Sequence, residues 1–322
     1  MNKIAPELEN VRSVAIAGHM RPDGDCVGAC MGLYLYIKDN FPHIDVQVYL
    51  EKIPVSYNFI KGTEDICSDF GADKEYDLFI GLDSGDRQRY GDAVKYLDAA
   101  KRSICIDHHI SNSGYADVNH IVPGASSTSE LIYELLDEEK ITNPIAEALY
   151  MGIAHDTGVF QYTCTSPRTM EIGGKLIGKG IPFTKILDDT YYKKTYIQNQ
   201  ITGRALMESI LLLHGTCIAS SIRMKDMEFY GVDTSDLDGI VSQLRNTKGV
   251  EVAIFLYEIK AQEFKVSMRS NEIVDVQEVA SYFGGGGHVR AAGCTMQGSI
   301  YDVLNNLTRR IEIQLKAWEN KK

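Results

Sequence analysis

Aspartate and histidine gather in this 322-residue chain in four short groups, each closing an apolar run. The first, Gly18-His19-Met20-Arg21-Pro22-Asp23-Gly24-Asp25, sets one imidazole and two carboxylates on a loop bent by Pro22 and Gly24. Asp23 and Asp25 diverge in direction, so they can serve two adjacent ions. Carboxylate with imidazole suits a divalent cation such as Mn²⁺, with zinc or iron also compatible on ligand type. The same aspartates would also serve as caps for the next helix. The second group, Ile80 to Asp86, holds Asp83, which could bridge two ions or simply make a turn, since Asp-Ser-Gly is good turn chemistry. The third, Ile106-Asp107-His108-His109, uses two of only eight histidines in the chain. Adjacent histidines point apart, so one can ligate metal while the other faces substrate. Asp107 could orient a neighbouring ring, as metal-bound imidazoles usually require. In the fourth, Ala154 to Gly158, Asp156 could complete a metal shell, while His155 reads as structural.

A fifth constellation carries anion-binding chemistry. Gly284-Gly285-Gly286-Gly287-His288-Val289-Arg290-Ala291-Ala292-Gly293 can close backbone N–H groups on a phosphate, with His288 as a further donor. Just upstream, Arg269 and Ser270 end a strand. A guanidinium there is a natural bidentate partner for phosphate.

These groups need elements that bring them together. Val14–Ala17, Val46–Leu50, Leu78–Leu82 and Ser103–Ile106 read as short strands. Helices are expected at Cys26–Ile37, Thr128–Leu136, Pro144–His155 and Pro167–Lys179. That alternation predicts an α/β fold with a mostly parallel sheet flanked by helices. In such sheets ligands gather beyond the carboxyl ends of the strands, where three of the acidic groups stand. Pro182 to about Ala205 is polar and helical, a connector. Beyond it, Thr216–Ile222, Phe229–Asp233, Val250–Tyr257 and Phe264–Met268 read as strands, and Asp236–Arg245, Val276–Tyr282 and Ile300–Leu315 as helices. The expected organisation is a catalytic domain over 1–185, a linker over 186–208 and a smaller α/β domain over 209–322, with the active site in the cleft between the two domains.

Composition narrows the partners. With 33 basic and 44 acidic residues the formal charge is −11, and no basic stripe is visible. Long nucleic acid is usually tracked by such stripes, so a small anionic ligand held locally is favoured over a duplex. Seven cysteines lie scattered without a CxxC pair, against a disulfide scaffold or structural zinc. No apolar run approaches a membrane span, and the polar first residues do not resemble a signal peptide, so a cytoplasmic protein without membrane contact is expected. No heptad or other symmetric pattern reports on a homodimer.

In their order, His19-x-x-x-Asp23-x-Asp25, Asp83, Asp107-His108-His109 and Asp156 resemble the four motifs of the DHH phosphoesterases. Gly284–His288 with Ala291-Ala292-Gly293 is similar to the signature of the DHH-associated substrate domain. The resemblance spans nearly the whole chain and looks closest to the bacterial oligoribonuclease/pAp-phosphatase group, often called nanoRNase A. It implies two divalent cations, Mn²⁺ first among them: one held by His19, Asp23 and Asp83, the other by Asp25, Asp83, His108 and Asp156. It places His109 and Asp107 in the catalytic role, and Arg269, Ser270, Gly285, Gly286, Gly287 and His288 on the substrate. The implied substrates are short RNA or DNA oligonucleotides, dinucleotides such as pApA, and the 3′-phosphate of pAp. Phosphodiesterase action on cyclic di-AMP or pApA is the alternative reading, and a catalytically silent nucleotide sensor is the alternative from another class. The Ser126-Ser127-Thr128 stretch also matches the family, though helix capping accounts for it.

Overall fold

The computed structural model describes residues 3–71 and 73–320. The chain forms two compact units, Met1–Lys193 and Lys194–Lys322. The outer ends of the expected domains, residues 1–2 and 321–322, lie outside the described residues.

In the first unit, β1 (Ser13–Ala17), β2 (Asp45–Tyr49), β3 (Leu78–Leu82), β4 (Ser103–Asp107) and β5 (Val118–Ile121) form a fully parallel sheet in the order β2-β1-β3-β4-β5. Side chains alternate across it. Val14 and Ile16 enter one core, whereas Ala15 and Ala17 join Tyr49, Phe79, Tyr90 and Tyr96 on the other face. Both faces of β3 are covered, and all five of its residues are buried. Strand order reverses between β1 and β3, which places a crevice at their carboxyl ends. The helices are α1 (Gly24–Asn40), α2 (Val94–Ala99), α3 (Thr128–Leu135), α4 (Asn143–Asp156), α5 (Pro167–Gly178) and α6 (Phe183–Leu187).

A glycine ridge on α1 sets the depth of that crevice. A Cβ at Gly24 would meet the His155 ring at 2.3 Å, one at Gly28 the Ala148 carbonyl oxygen at 2.5 Å, and one at Gly32 the Leu149 side chain at 2.6 Å. Residues four apart share a helix face. Three glycines in that register let α1 and α4 run antiparallel in close contact, bringing the start of α1 to the end of α4. Asp23 and Asp25 stand at the first, Asp156 at the second.

The second unit begins with α7 (Tyr196–Met207) and contains β6 (Ile210–Leu212), β7 (Cys217–Ile222), α8 (Met224–Tyr230), α9 (Ile240–Arg245), β8 (Val252–Lys260), β9 (Glu263–Ser270), α10 (Val276–Tyr282), β10 (Gly286–His288), β11 (Ala291–Gln297) and α11 (Ile300–Glu319). Its sheet runs β10-β11-β9-β8-β7-β6, antiparallel except for β7 beside β8. One face packs against α10 and α11 through Val266, Met268, Val279 and Leu307, the other against α7 and α9 through Ala253, Phe255, Ile201 and Leu244.

The α/β layout agrees with the sequence, and one strand does not. Phe229–Asp233 is not extended: the helix α8 runs to Tyr230 and stops at Gly231 in the left-handed region. Met227 and Tyr230, three apart as on one helix face, pack inward while Phe229 is 79 % exposed. The connector is broken too, since α6 passes into a π-turn at Asp188–Tyr192 before α7 starts afresh at a Thr195 capping box. Among the described residues no helix is long and apolar enough to cross a membrane.

Candidate metal centre

The carboxyl ends of β1, β3 and β4 and the end of α4 converge on one cluster. Gly18 ends the run out of β1, where a Cβ would lie 2.2 Å from Cys26 Sγ. His19, 4 % exposed, turns Nδ1 to the Met20 carbonyl at 2.9 Å and Nε2 towards Asp83 Oδ2 at 3.4 Å and Asp23 Oδ1 at 3.7 Å. Asp23 also caps α1, accepting from the Cys26 N–H at 3.1 Å, so capping and its place beside His19 coexist.

Asp25 is buried and accepts from the backbone N–H groups of Thr128 at 2.7 Å and Ser129 at 2.9 Å. Those are donors of the first turn of α3, which a helix cannot satisfy internally and which favour an anion. Asp83 follows β3 with φ of 54°, a left-handed conformation that aspartate tolerates better than most residues. The Thr128 hydroxyl donates to its Oδ1 at 3.0 Å. His108 sets Nδ1 3.4 Å from the Ala125 carbonyl, leaving Nε2 3.2 Å from Asp156 Oδ2 and 3.6 Å from Asp83 Oδ1.

Negative charge crowds this cluster. Burial and the neighbouring Asp83 push the Asp25 carboxyl up to about 7. Burial, with Asp25, Asp83 and Asp23 nearby, raises Asp156 well above the usual carboxylate range. Buried carboxylates are normally paired or bound to a cation. Among the described residues the ion-pair partners of Asp83 and Asp156 are histidines alone. Three groups of ligand atoms lie within 4.8 Å of one another: His19, Cys26 and Asp83; Asp83, His108 and His109; Asp25, His108 and Asp156. An oxygen and imidazole donor set of this kind, with Asp83 shared, fits divalent cations. Cys26 joins the first group by proximity, its buried thiol raised well above the usual range by burial.

His109 faces a different partner. Its Nδ1 lies 2.7 Å from Asp107 Oδ1, and Asp107 is fully buried. Burial opposes the charge on Asp107, yet His109 and Asn112 outweigh it and hold the carboxyl below its usual range. His109 is raised in turn, burial opposing and Asp107 with Asp83 prevailing.

The roles of three contributors go beyond what the sequence predicts. Ser127 does cap α3, accepting from the Glu130 N–H at 3.0 Å. Thr128 and Ser129 go further and hold Asp25 and Asp83, so capping does not account for the whole of this stretch. Asn112 gave no signal, since its part depends on the fold of the loop after His109. His155 is placed as structural, its Nε2 2.9 Å from Thr190 Oγ1 and its ring edge-on to Tyr57 and Tyr191.

In the second unit, β9 alternates between its two faces. Arg269 is half-buried, with Nη1 donating to the Met268 carbonyl at 3.0 Å. Ser270 falls on the core side, 1 % exposed, with its hydroxyl turned to the Val289 carbonyl at 3.5 Å. The glycine run is an edge strand rather than a free loop: Gly286, Gly287 and His288 pair with Gly293, Ala292 and Ala291. A Cβ at Gly285 would sit 2.2 Å from the Gly293 carbonyl oxygen, and one at Gly287 2.4 Å from that of Ala291, so close backbone approach demands glycine at both.

Residues 13–153 match the DHH family, N-terminal domain, and residues 215–317 match the DHHA1 domain. The chain carries a DHH domain followed by a DHHA1 domain. Among curated relatives, the bifunctional oligoribonuclease and PAP phosphatase NrnA of Thermus thermophilus is 28% identical over 306 residues, covering 92% of this chain and 89% of that one. The NrnA of Bacillus subtilis is 27% identical over 312 residues, covering 95% and 96%. An exopolyphosphatase-related protein from Bacteroides fragilis shares the fold, with TM-score 0.89, 24% identity and coverage of 96% and 94%. The two domain matches thus accord with motifs and fold alike.

Proposed function

We propose that the chain is a divalent-metal-dependent phosphoesterase that hydrolyses short oligonucleotides such as pApA to mononucleotides and removes the 3′-phosphate of pAp. The observation carrying this reading is the convergence of Asp25, Asp83, Asp156, His19 and His108 around a shared carboxylate, in a chain whose full-length relatives are named for these two activities. In this reading His19, Asp23 and Asp83 hold one cation, and Asp25, Asp83, His108 and Asp156 the other, with Mn²⁺ as the favoured ion. When bound, such a pair supplies a water acidic enough to attack at neutral pH and positive charge against the phosphoryl oxygens.

The rest of the chemistry falls to the chain. Water attacks phosphorus in line as the P–O ester bond breaks, and the departing oxygen needs a proton. His109, its ring oriented by Asp107 at Nδ1, serves a phosphoryl oxygen or that leaving group. Arg269, His288 and the backbone of Gly285–Gly287 grip the nucleotide. Seven free cysteines accord with a reducing compartment, and we place the enzyme in the cytoplasm.

Nucleotide and phosphate release with Mn²⁺ from pApA, pAp, longer RNA, cyclic di-AMP and pyrophosphate tests the proposal. Cleavage of pApA and pAp that fades with RNA length is the expected result. Activity confined to cyclic di-AMP or pApA would move the enzyme to second-messenger turnover, and silence on every substrate would leave a nucleotide sensor.

A further inference from the structure

Arg290 stands inside the glycine-rich stretch, where an arginine reads at first as a phosphate ligand. In the structure it turns inward. Its Nη1 donates to the Val274 carbonyl at 3.0 Å and lies 3.5 Å from Ser270 Oγ, and its Nη2 donates to the Glu272 carbonyl. The same peptides are held from their other side. Glu251, 8 % exposed, accepts from the successive N–H groups of Glu272 at 3.1 Å, Ile273 at 2.6 Å and Val274 at 2.9 Å. A short strap, 272–274, is thus fixed between a carboxylate on its donors and a guanidinium on its acceptors. Charge-assisted bonds of this type are the stronger ones, and they give the buried Glu251 carboxylate three donors.

What the strap positions follows from the register. Arg290 lies in the turn between β10 and β11, two residues beyond His288. The turn is tied down again by Ser270 N–H to the Arg290 carbonyl at 3.1 Å and Val276 N–H to the Val289 carbonyl at 3.0 Å. Ala291 pairs with His288 on one side and with Arg269 on the other, so those two residues occupy a single row across three strands. We propose that Arg290 and Glu251 are positioning residues that clamp the 272–274 strap and thereby hold His288 and Arg269 in one row for a nucleotide phosphate. The inference rests on the substrate role proposed above for His288 and Arg269. It makes Arg290 a determinant of substrate binding without contact to substrate.

A double-mutant cycle on the full-length protein tests it, with pApA as substrate and Mn²⁺ present. Arg290→Met keeps the reach of the side chain and removes its donors. The expected result is a KM raised about tenfold with kcat within about twofold, and an effect reduced to about threefold, carried by Arg269 alone, once His288→Ala is present, because coupled residues are non-additive. Arg290→Lys should recover part of the loss. Glu251→Gln, acting on the strap from its other side, should raise KM likewise and serves if Arg290→Met does not fold. Equal effects in both backgrounds, or a fall confined to kcat, would overturn the inference. The two readings fail differently: an unchanged KM in His288→Ala removes the substrate role and the inference with it, whereas a raised KM in His288→Ala with none in Arg290→Met removes the inference alone.

Discussion

Asn112 donates to Asp107 Oδ2 at 2.7 Å, opposite the oxygen that holds His109. Its amide nitrogen also lies 3.1 Å from the Ser84 carbonyl, and its own oxygen accepts from the Gly114 N–H at 2.8 Å. One buried side chain therefore joins the His109 support to the turn that carries Asp83. Asn112→Ala would leave a fully buried carboxylate short of a donor, which destabilises by about 1–3 kcal/mol. Turnover should fall through kcat, because His109 loses its fixed orientation, while KM stays nearly unchanged. Urea denaturation and steady-state kinetics on one preparation check both halves, and a KM effect without a kcat effect would contradict the role.

Much of this site was legible because its residues stand at strand and helix ends, where residue type and position carry the same message. His19, Asp83 and Asp107-His108-His109 follow short apolar runs, and the fold sends those runs to one crevice. What was illegible depends on distance through space. Asn112 and the Thr128–Ser129 pair act on residues 5 to 104 positions away, and only the packed structure reveals such partners. Weak strands were missed for a local reason. Val118–Ile121 is a partly exposed edge, and Gly286–His288 has no strand propensity and exists through its pairing with β11.

Gly152 in α4 makes room for the site. A Cβ there would lie 1.9 Å from Ser129 Oγ and 3.0 Å from Asp25 Oδ1. Gly152→Ala gains about 1 kcal/mol of helix propensity, which partly offsets the steric penalty. We predict a stability change within about 2 kcal/mol but Mn²⁺ affinity weakened by roughly tenfold or more, since supporting contacts matter that much to metal ligands. Titration calorimetry and thermal unfolding separate the two, and an unchanged affinity would count against the arrangement.

Asp77 contributes to the acid limb of stability. Its Oδ2 accepts from the N–H groups of Arg12 at 2.9 Å and Ser13 at 3.2 Å, and Oδ1 pairs with Lys101 at 2.7 Å. Lys101 and the backbone donors lower its carboxyl from 3.8 to about 2. A carboxyl depressed in the folded state binds fewer protons there than in the unfolded chain. Its contribution is therefore complete above about pH 4 and is lost as pH falls towards about 2. Asp77→Asn should flatten that part of the curve in urea denaturation at stepped pH. Parallel curves for the two proteins would show that Asp77 does not contribute.

The proposed hydrolysis depends on Asp83 as the carboxylate shared by two cations. The most direct measurement is Mn²⁺ stoichiometry, by equilibrium dialysis and elemental analysis, on the wild type and Asp83→Asn, with pApA turnover measured on the same samples. We predict roughly two ions per wild-type chain, fewer in the variant, and turnover lowered by at least about 10³-fold, the scale expected when a two-metal clamp is lost. Asp83→Asn that binds Mn²⁺ as the wild type does and still cleaves pApA would contradict it.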